Sequence, residues 1–298
     1  MRGLSLILPT YNERENLAPL VKRIRASLQN LPVDWEILVV DDGSPDGTAH
    51  RAEELGREFP LRVLNGHRRW GLARSVAEGF RTTDREFLLV MDADLSHPPE
   101  RIPAMWDLMT KDPCDLVIGS RYVPGGAIRD WTPLRRLTSR ISKLLVCPLT
   151  AVKDPLSGFF LLHRRVIENG TFRPAGFKIL LEILARGEYE TVREVPITFE
   201  ERLHGSSKLS HRVILAYLLQ VLRLYVEKTK SLLQRVSAVS RLPDQGAEVI
   251  APSLAEPRIV SDPSKATSAL AGPVSTTPAC GCNAPGTPAR LPRLSSWE

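Results

Sequence analysis

Two aspartates, Asp92 and Asp94, stand one residue apart after the apolar run of residues 87–90. Carboxylate oxygens are the ligands that hard cations such as Mg2+ prefer, and a pair of them at a strand end can hold such a cation against a diphosphate. The same pattern is also common in solvated turns and at helix N-caps. The pair by itself therefore leaves both interpretations open.

The rest of the chain alternates between two hydrophobic patterns. Strand-like runs lie at residues 4–8, 36–40, 61–64, 87–91, 115–118 and 194–199, and helix-like runs lie at residues 15–28, 48–59 and 72–81. Several of the strands are apolar on both faces, which predicts an α/β fold with a mostly parallel, Rossmann-like sheet covered by helices.

Polar segments follow three of these strands, at residues 9–13, 41–44 and 92–94. In open α/β sheets, ligands bind beyond the carboxyl ends of the strands. The three segments should therefore converge on one crevice.

Asp41 and Asp42 are the polar pair at the second of these strand ends. Asp46 or Thr48 could cap the helix that follows, so turn chemistry explains part of this segment. Two adjacent carboxylates repel each other unless they bind donors or a cation. A carboxylate in this place can accept hydrogen bonds from a base or a ribose.

The segment after Asp94 offers two more polar groups. Ser96 could add a hydroxyl ligand to a metal or hold a water molecule, and His97 could act as a donor. We interpret His97 as a surface residue rather than a ligand.

Size and charge narrow the class of protein. The chain has 298 residues, 43% of them hydrophobic, and a formal charge of +6, which favours anionic partners. No nucleic-acid recognition motif accompanies the charge, so we expect no nucleic-acid partner. The four scattered cysteines and the absence of a secretory segment before the first strand predict a reducing, cytoplasmic setting.

The C-terminal third has two parts. Residues 213–233 are Leu-rich with interspersed cations and predict an amphipathic helix, which could lie in a bilayer interface, pack on the catalytic domain or meet a small membrane subunit. No stretch approaches the ~20 apolar residues that span a bilayer. Residues 240–298 are rich in Pro, Ala and Ser and predict a disordered tail after a catalytic domain at residues 1–235.

Taken together, the polar segments resemble those of family 2 glycosyltransferases, most closely the dolichyl- or polyprenyl-phosphate mannosyltransferases. The motifs are LPTYNEREN at 8–16, VVDDGSPDGT at 39–48, MDADLSHPPE at 91–100, GSRY at 119–122, DPLSGFF at 154–160 and RLHGSSK at 202–208. The resemblance implies a glycosyltransferase A type fold. It also implies inverting transfer of a sugar from a nucleotide donor to a lipid phosphate, with Mg2+ or Mn2+ as cofactor.

The resemblance also implies roles for individual residues. The nucleotide-sugar site would comprise Pro9, Tyr11, Glu13, Val39, Asp41, Asp92, Ala93, Lys178, Arg202 and Lys208. Asp92, Asp94 and Ser96 would hold the metal, and Arg121, Arg135 and Ser139 the acceptor phosphate. Asp92, Asp94, Arg121 and Arg202 would be catalytic. Ser96 departs from the family pattern, which often has a Gln metal ligand there, so direct ligation by Ser96 stays open.

The residue types suit that chemistry. A phosphate monoester has a second pKa of about 6, so it is largely anionic at neutral pH and needs cations more than a strong base. The basic stretch at residues 129–143, with Trp131 among its charges, supplies cations, although a solvated amphipathic helix would look the same. The resemblance places Asp154 near the sugar or the acceptor, and residues 202–208 read as a basic lid or an exposed loop.

These inferences lead to one hypothesis and its rivals. The chain is expected to move mannose from GDP-mannose to a polyprenyl or dolichyl phosphate, as a peripheral protein on the cytoplasmic face of a membrane. The alternatives are a UDP-sugar donor such as UDP-glucose, and a non-catalytic protein that binds nucleotide sugars. A glycan-extending transferase would need a catalytic carboxylate, which no motif clearly provides.

Overall fold

The computed structural model describes residues 3–66, 71–111, 114–129, 131–168, 178–200, 211–239 and 258–260. Within these ranges the strands are β1 (Leu4–Thr10), β2 (Trp35–Asp41), β3 (Leu61–Asn65), β4 (Phe87–Val90), β5 (Leu116–Ser120), β6 (Ala127–Ile128), β7 (Phe160–His163), β8 (Thr191–Pro196), β9 (Thr198–Phe199) and β10 (Arg258–Val260). The α-helices are α1 (Arg14–Leu28), α2 (Thr48–Leu55), α3 (Leu72–Thr82), α4 (Ile102–Lys111), α5 (Pro133–Val146), α6 (Arg165–Glu168), α7 (Ile179–Arg186) and α8 (His211–Val239). Short 3-10 helices span Pro99–Arg101 and Cys147–Leu149.

In the described part of the chain, one eight-stranded sheet has the order β10-β8-β5-β7-β4-β1-β2-β3. All neighbours pair in parallel except β7, which runs antiparallel to both β4 and β5. The mostly parallel sheet covered by helices confirms the predicted α/β class. The reversed direction of β7 was not predicted.

The central strands are apolar on both faces because helices cover both sides of the sheet. In β1, Leu6 and Leu8 belong to the cluster that includes Leu17 of α1, whereas Ile7 packs into the opposite cluster with Val76 of α3. Successive side chains of a strand point to opposite faces, so a continuous apolar run results.

The predicted strand at residues 194–199 is in fact two strands in different sheets. β8 ends at Pro196, which has no N–H for the ladder. At Ile197 the chain changes partner: its N–H donates to the Ser120 carbonyl at 3.0 Å and its carbonyl accepts from Ala127 N–H at 3.0 Å. β9 then pairs with β6, so Phe199 lies beside the carboxyl edge of the main sheet.

The loops that carry Asp41, Asp92 and residues 154–159 lie at this carboxyl edge of the sheet. β1, β2, β4 and β5 all end there, and β7 begins there because it runs the other way. The segment before β7, residues 154–159, is thereby delivered to the same edge as Asp41 and Asp92.

The predicted amphipathic helix at residues 213–233 is confirmed as part of α8. One stripe of α8, including Tyr217, Val221 and Leu224, is buried against α7 and the end of α5. No helix among the described residues is both long enough and apolar enough to cross a membrane. The tail predicted at residues 240–298 lies outside the described residues apart from β10, which pairs with β8.

Glu36 ties the amino-terminal ends of β1 and β2 to the end of α3. Its carboxylate accepts hydrogen bonds from Ser5 Oγ at 2.6 Å, Thr83 Oγ1 at 2.8 Å and Arg62 Nε at 2.9 Å. Burial raises the pKa of this carboxyl, but the donors outweigh burial and hold the pKa below its usual value. A carboxyl of this kind contributes stability above its unfolded-state pKa and loses it as pH falls through the folded-state pKa.

We therefore predict that Glu36→Gln lowers the free energy of unfolding by about 1–2 kcal/mol at pH 7, because one or more buried donors lose their acceptor. The difference from wild type should shrink as the pH is lowered from 7 to below about 4.3, the usual pKa of a glutamate, because protonation of Glu36 removes the charge that its donors stabilise. Urea unfolding across this range measures it, with the exposed Glu58→Gln as control. A difference that stays constant over the range would contradict a role for the Glu36 charge.

Candidate active site at the carboxyl edge of the sheet

Asp41, buried at the end of β2, organises the first part of the site. Its carboxylate accepts hydrogen bonds from Ser44 N–H at 2.8 Å, Ser44 Oγ at 2.6 Å and Thr10 Oγ1 at 3.1 Å. The neighbouring Asp42 instead accepts from Gly71 N–H at 3.1 Å. Each of the two adjacent carboxylates thus has its own hydrogen-bond donors, which offset the repulsion between the two charges.

The loops after β1 and β2 are tied together. Asn12 N–H donates to Ser44 Oγ at 2.9 Å, and Glu13 N–H donates to Thr48 Oγ1 at 3.0 Å. Asn12 has a left-handed backbone with φ of 59°, a conformation that Asn tolerates better than most residues. These contacts bring together five residues predicted to bind the nucleotide: Pro9, Tyr11, Glu13, Val39 and Asp41.

The loop after β4 holds Asp94 and Ser96 against each other. Asp94 is buried, and its Oδ1 accepts from Ser96 N–H at 3.1 Å and from Ser96 Oγ at 2.5 Å. Leu95 between them has a φ of 65°, which is a strained backbone for a branched side chain. The strained turn points the Ser96 hydroxyl at Asp94.

His97 is buried, so the interpretation of it as a surface residue is wrong. The chain turns back at Leu95, and the imidazole then packs between Phe159 and Phe199 with ring centroids 5.5 and 5.3 Å away. Its Nδ1 accepts a hydrogen bond from Asp92 N–H at 3.3 Å. Burial lowers the pKa of His97, and the nearby carboxylates oppose this shift without reversing it, so the ring is neutral at pH 7.

Asp92 faces the segment that precedes β7. A Cβ added at Gly158 would lie 2.7 Å from Asp92 Oδ2, so a larger residue here would displace the Asp92 carboxylate from its present position. Ser157 beside it donates from Oγ to the Gly119 carbonyl at 2.7 Å and anchors the same segment to the end of β5.

Arg121 and Asp154 form a buried ion pair next to this contact. Arg121 Nε and Nη2 donate to the two Asp154 oxygens at 2.8 Å each, and Arg121 N–H adds a third bond at 3.0 Å. The two side chains are 10% and 1% exposed. Burial lowers the pKa of Arg121, but Asp154 outweighs burial and raises it, so the guanidinium is a permanent cation.

Aromatic rings surround the Arg121 guanidinium. The ring centroids of Tyr122, Trp131 and Phe199 lie 5.4 to 5.6 Å from its central carbon. Such contacts stabilise a cation that has left bulk water.

The basic helix α5 contacts this cluster along one face. Arg135 lies 4.6 Å from the centroid of Trp131, Ser139 Oγ lies 2.9 Å from the Tyr122 hydroxyl, and Lys143 Nζ lies 4.3 Å from the Tyr122 ring centroid. Residues four apart share a helix face, which accounts for the alignment. The structure therefore places Arg121, Arg135 and Ser139, the three predicted phosphate ligands, in one neighbourhood.

The remaining predicted residues divide into two groups. Lys178 precedes α7, and its Nζ donates to the Leu156 carbonyl at 3.4 Å, so it joins the segment that carries Asp154. Arg202 and Lys208, and with them the predicted lid at residues 202–208, lie outside the described residues.

Two residues of the site were not singled out from the sequence. Phe199 packs on both His97 and Arg121, and its position as the last residue of a predicted strand was the available signal. Glu194 accepts from the backbone N–H groups of Lys153 and Asp154 at 2.9 and 3.0 Å, which fixes the loop that presents Asp154. A lone glutamate within a strand gave no comparable signal.

The carboxylates suit a hard cation that is shared with a substrate. Among the described residues, no group of three or more His, Cys, Asp and Glu side chains is arranged to enclose a metal ion. Mg2+ and similar ions are commonly held by one or two carboxylates together with substrate phosphates and water. Asp92, with its side chain 31% exposed, and the buried Asp94 fit that pattern.

Two proteins named dolichol-phosphate mannosyltransferase are similar to this chain in sequence. A dolichol-phosphate mannosyltransferase of Pyrococcus furiosus is 44% identical over 225 residues, covering 74% of this chain and 63% of that protein. The chain thus spans less than two thirds of the length of the archaeal relative. The dolichol-phosphate mannosyltransferase of Saccharomyces cerevisiae is 37% identical over 235 residues, covering 75% of this chain and 87% of that protein.

Solved structures share the fold at lower identity. Glucosyl-3-phosphoglycerate synthase from Mycobacterium tuberculosis, solved with Mn2+, UDP and glucosyl-3-phosphoglycerate, superposes with a TM-score of 0.57 at 23% identity, covering 76% of this chain and 79% of that one. Mannosyl-3-phosphoglycerate synthase from Rubrobacter xylanophilus gives a TM-score of 0.53 at 20% identity over 82% of this chain and 77% of that one. These likenesses agree with the glycosyltransferase A type fold.

The family assignment rests on the sequence relatives. The model of the family described as glycosyl transferase family 2 matches residues 5–171, which is more than half of the chain. With relatives at 37% and 44% identity alongside it, the match shows that this chain belongs to glycosyltransferase family 2.

Proposed function

We propose that this chain transfers mannose from GDP-mannose to dolichyl phosphate or a similar polyprenyl phosphate, with inversion at the anomeric carbon. The observation that carries the proposal is the close contact between Gly158 and Asp92. It sets the anionic residues that suit a metal diphosphate directly beside the buried Arg121–Asp154 pair. A donor half and an acceptor half of a transferase site would meet there.

The donor half comprises the loops after β1, β2 and β4. Tyr11, Glu13 and Asp41 would surround the nucleoside, and Asp92 with Asp94 would hold Mg2+ or Mn2+ against the diphosphate. The cation would offset the charge that grows on the departing nucleotide. Ser96 donates to Asp94 at 2.5 Å, so we assign it the role of orienting that carboxylate.

The acceptor half is cationic. Arg121, Arg135 and Ser139 would bind the lipid phosphate, whose oxygen attacks the anomeric carbon without prior removal of a proton. Asp154 is committed to Arg121 through both oxygens, which makes it a poor general base. This arrangement favours a phosphate acceptor over a sugar hydroxyl.

A membrane surface would present that acceptor. α5 exposes Leu137, Ile141 and Leu144, the last with 72% of its surface accessible, and α8 exposes Leu215, Leu219 and Leu222. The two helices pack together, since Tyr217 Oη donates to the Ser142 carbonyl at 2.6 Å. Apolar side chains beside cations suit an interfacial helix. We therefore propose peripheral attachment at the cytoplasmic face, with a small membrane subunit as the competing occupant of this surface.

The proposal predicts the outcome of a transfer assay. The full chain should label dolichyl phosphate in vesicles from radiolabelled GDP-mannose when Mg2+ or Mn2+ is present, and chelation should abolish the labelling. UDP-glucose and UDP-N-acetylglucosamine serve as competing donors. Labelling from a UDP-sugar alone would show that GDP-mannose is not the donor. Labelling that survives chelation would show that the transfer does not require the metal.

Substitutions of Asp94 and Ser96 should differ in their effect on metal-dependent activity. We expect Asp94→Asn to lower kcat about 100-fold or more, because a neutral amide is a weaker ligand than a carboxylate for the cation that would offset the charge at the diphosphate. Ser96→Ala should cost about 10-fold through the lost orientation of Asp94. Asp107→Asn on the exposed surface of α4 is the matched control. Equal activity in Asp94→Asn and Asp107→Asn would be incompatible with the proposed metal site.

Two adjacent arginines on α5 should differ in acceptor binding. Arg135→Ala should raise the KM for dolichyl phosphate about 10-fold, because a charge-assisted contact to the phosphate is lost. Arg136 is exposed, so Arg136→Ala removes the same charge and should change that KM by about twofold at most. Steady-state kinetics on vesicles of fixed composition measure both. Equal effects would mean that the helix acts only through its net charge.

A further inference from the structure

Gln220 is a buried amide in the apolar stripe of α8. It is 4% exposed and lies between Tyr217 and Val221, which pack with Leu156 and Leu181 in one hydrophobic cluster. Burial of an amide in such surroundings is costly unless its hydrogen bonds are made. The partners of Gln220 therefore identify what the residue is for.

Those partners are the backbone of Lys178 and the side chain of Glu182. Gln220 Oε1 accepts from Lys178 N–H at 3.2 Å, and its Nε2 donates to the Lys178 carbonyl at 2.9 Å. The same Nε2 donates to Glu182 Oε1 at 3.0 Å. One side chain thus grips both backbone groups of a single residue at the start of α7.

Lys178 in turn contacts the candidate active site. Its Nζ lies 3.4 Å from the Leu156 carbonyl, two residues after Asp154 and two residues before Gly158. The position of the Lys178 backbone therefore limits where the Lys178 ammonium group can lie. That group contacts the segment that joins the two halves of the site.

The polar contacts continue along the interface between α7 and α8. Glu182 Oε2 lies 3.1 Å from Arg186 Nη1, and Arg186 Nη2 donates to Glu227 of α8 at 2.8 Å. Burial raises the pKa of Glu182, and the attraction of Arg186 offsets only part of this. Well-packed apolar side chains would stabilise the interface between α7 and α8 at least as well as this series of buried polar contacts.

A buried polar group can fix the register in which a helix packs on its neighbours. A leucine-rich helix can pack in neighbouring registers at similar energy, and a single buried amide selects the register in which its partners are met. On α8 the register that satisfies Gln220 is the one that holds Lys178 against Leu156.

We propose that Gln220 is a positioning residue, which fixes α8 on the catalytic domain in the register that places Lys178 for binding of the nucleotide sugar. The inference rests on the proposed function and on the role in nucleotide-sugar binding that the family resemblance implies for Lys178. It joins the helix with the exposed apolar face to the donor side of the site.

The first test compares Gln220→Leu with Tyr225→Phe in the full chain. Tyr225 Oη donates to the Leu145 carbonyl at 2.9 Å, so its loss weakens the attachment of α8 to α5 without touching Lys178. Gln220→Leu should raise the KM for GDP-mannose about 10-fold and leave the KM for dolichyl phosphate unchanged. Tyr225→Phe should leave both values unchanged. A loss of kcat at constant donor KM in Gln220→Leu would reduce Gln220 to a stabilising residue and overturn the proposal.

A charge exchange provides the second test. Gln220→Glu sets a second carboxylate against Glu182 and removes the donor to the Lys178 carbonyl, so it should raise the donor KM more than Gln220→Leu does. The double variant Gln220→Glu with Glu182→Gln restores one amide and one carboxylate and should recover part of the loss. No recovery in a folded double variant would contradict the assigned contacts.

Direct titration separates this proposal from the proposed function. If wild type transfers sugar from no donor, the function fails, and GDP-mannose with Mn2+ is then titrated into wild type and Gln220→Leu. About 10-fold weaker binding to the variant would still support Gln220 as a positioning residue. Equal binding by the two proteins would overturn it.

Discussion

The buried ion pair between Arg121 and Asp154 is the interaction on which the rest of the site depends. Two nearly inaccessible charges are tolerable only because they meet in a bidentate geometry with a third bond from the backbone. Loss of either partner would leave an isolated buried charge, at a cost of about 3–5 kcal/mol. The surrounding rings, α5 and the Glu194 contacts all serve to keep this pair in place.

The antiparallel strand β7 explains how the pair forms at all. Arg121 follows β5, whereas Asp154 precedes β7, and the two meet because neighbouring strands of opposite direction share an edge. The same reversal brings Gly158 against Asp92. One feature of sheet topology thus supplies both the cationic cluster and its contact with the acidic loop.

The outer helices add a second layer of organisation. α5 buries Val146 at its end, α8 buries one stripe that includes Tyr217, and both helices expose apolar residues to the surroundings. The buried amide of Gln220 is joined to Lys178, and Tyr217 and Tyr225 are joined to the backbone of α5. Through these hydrogen bonds, the helices that carry the exposed apolar face contact segments of both halves of the proposed site.

The sequence by itself determined the α/β class, most strand positions, four of the eight described α-helices, and the convergence of Asp41 and Asp92 on one edge, because these follow from local periodicity and from the direction of parallel strands. It did not determine the burial of His97, the division of residues 194–199 between two sheets, or the reach of Gln220 to Lys178. Those depend on which distant segments pack together. A strained turn at Leu95, a change of partner at Ile197 and a helix register on α8 are tertiary choices that no local pattern encodes.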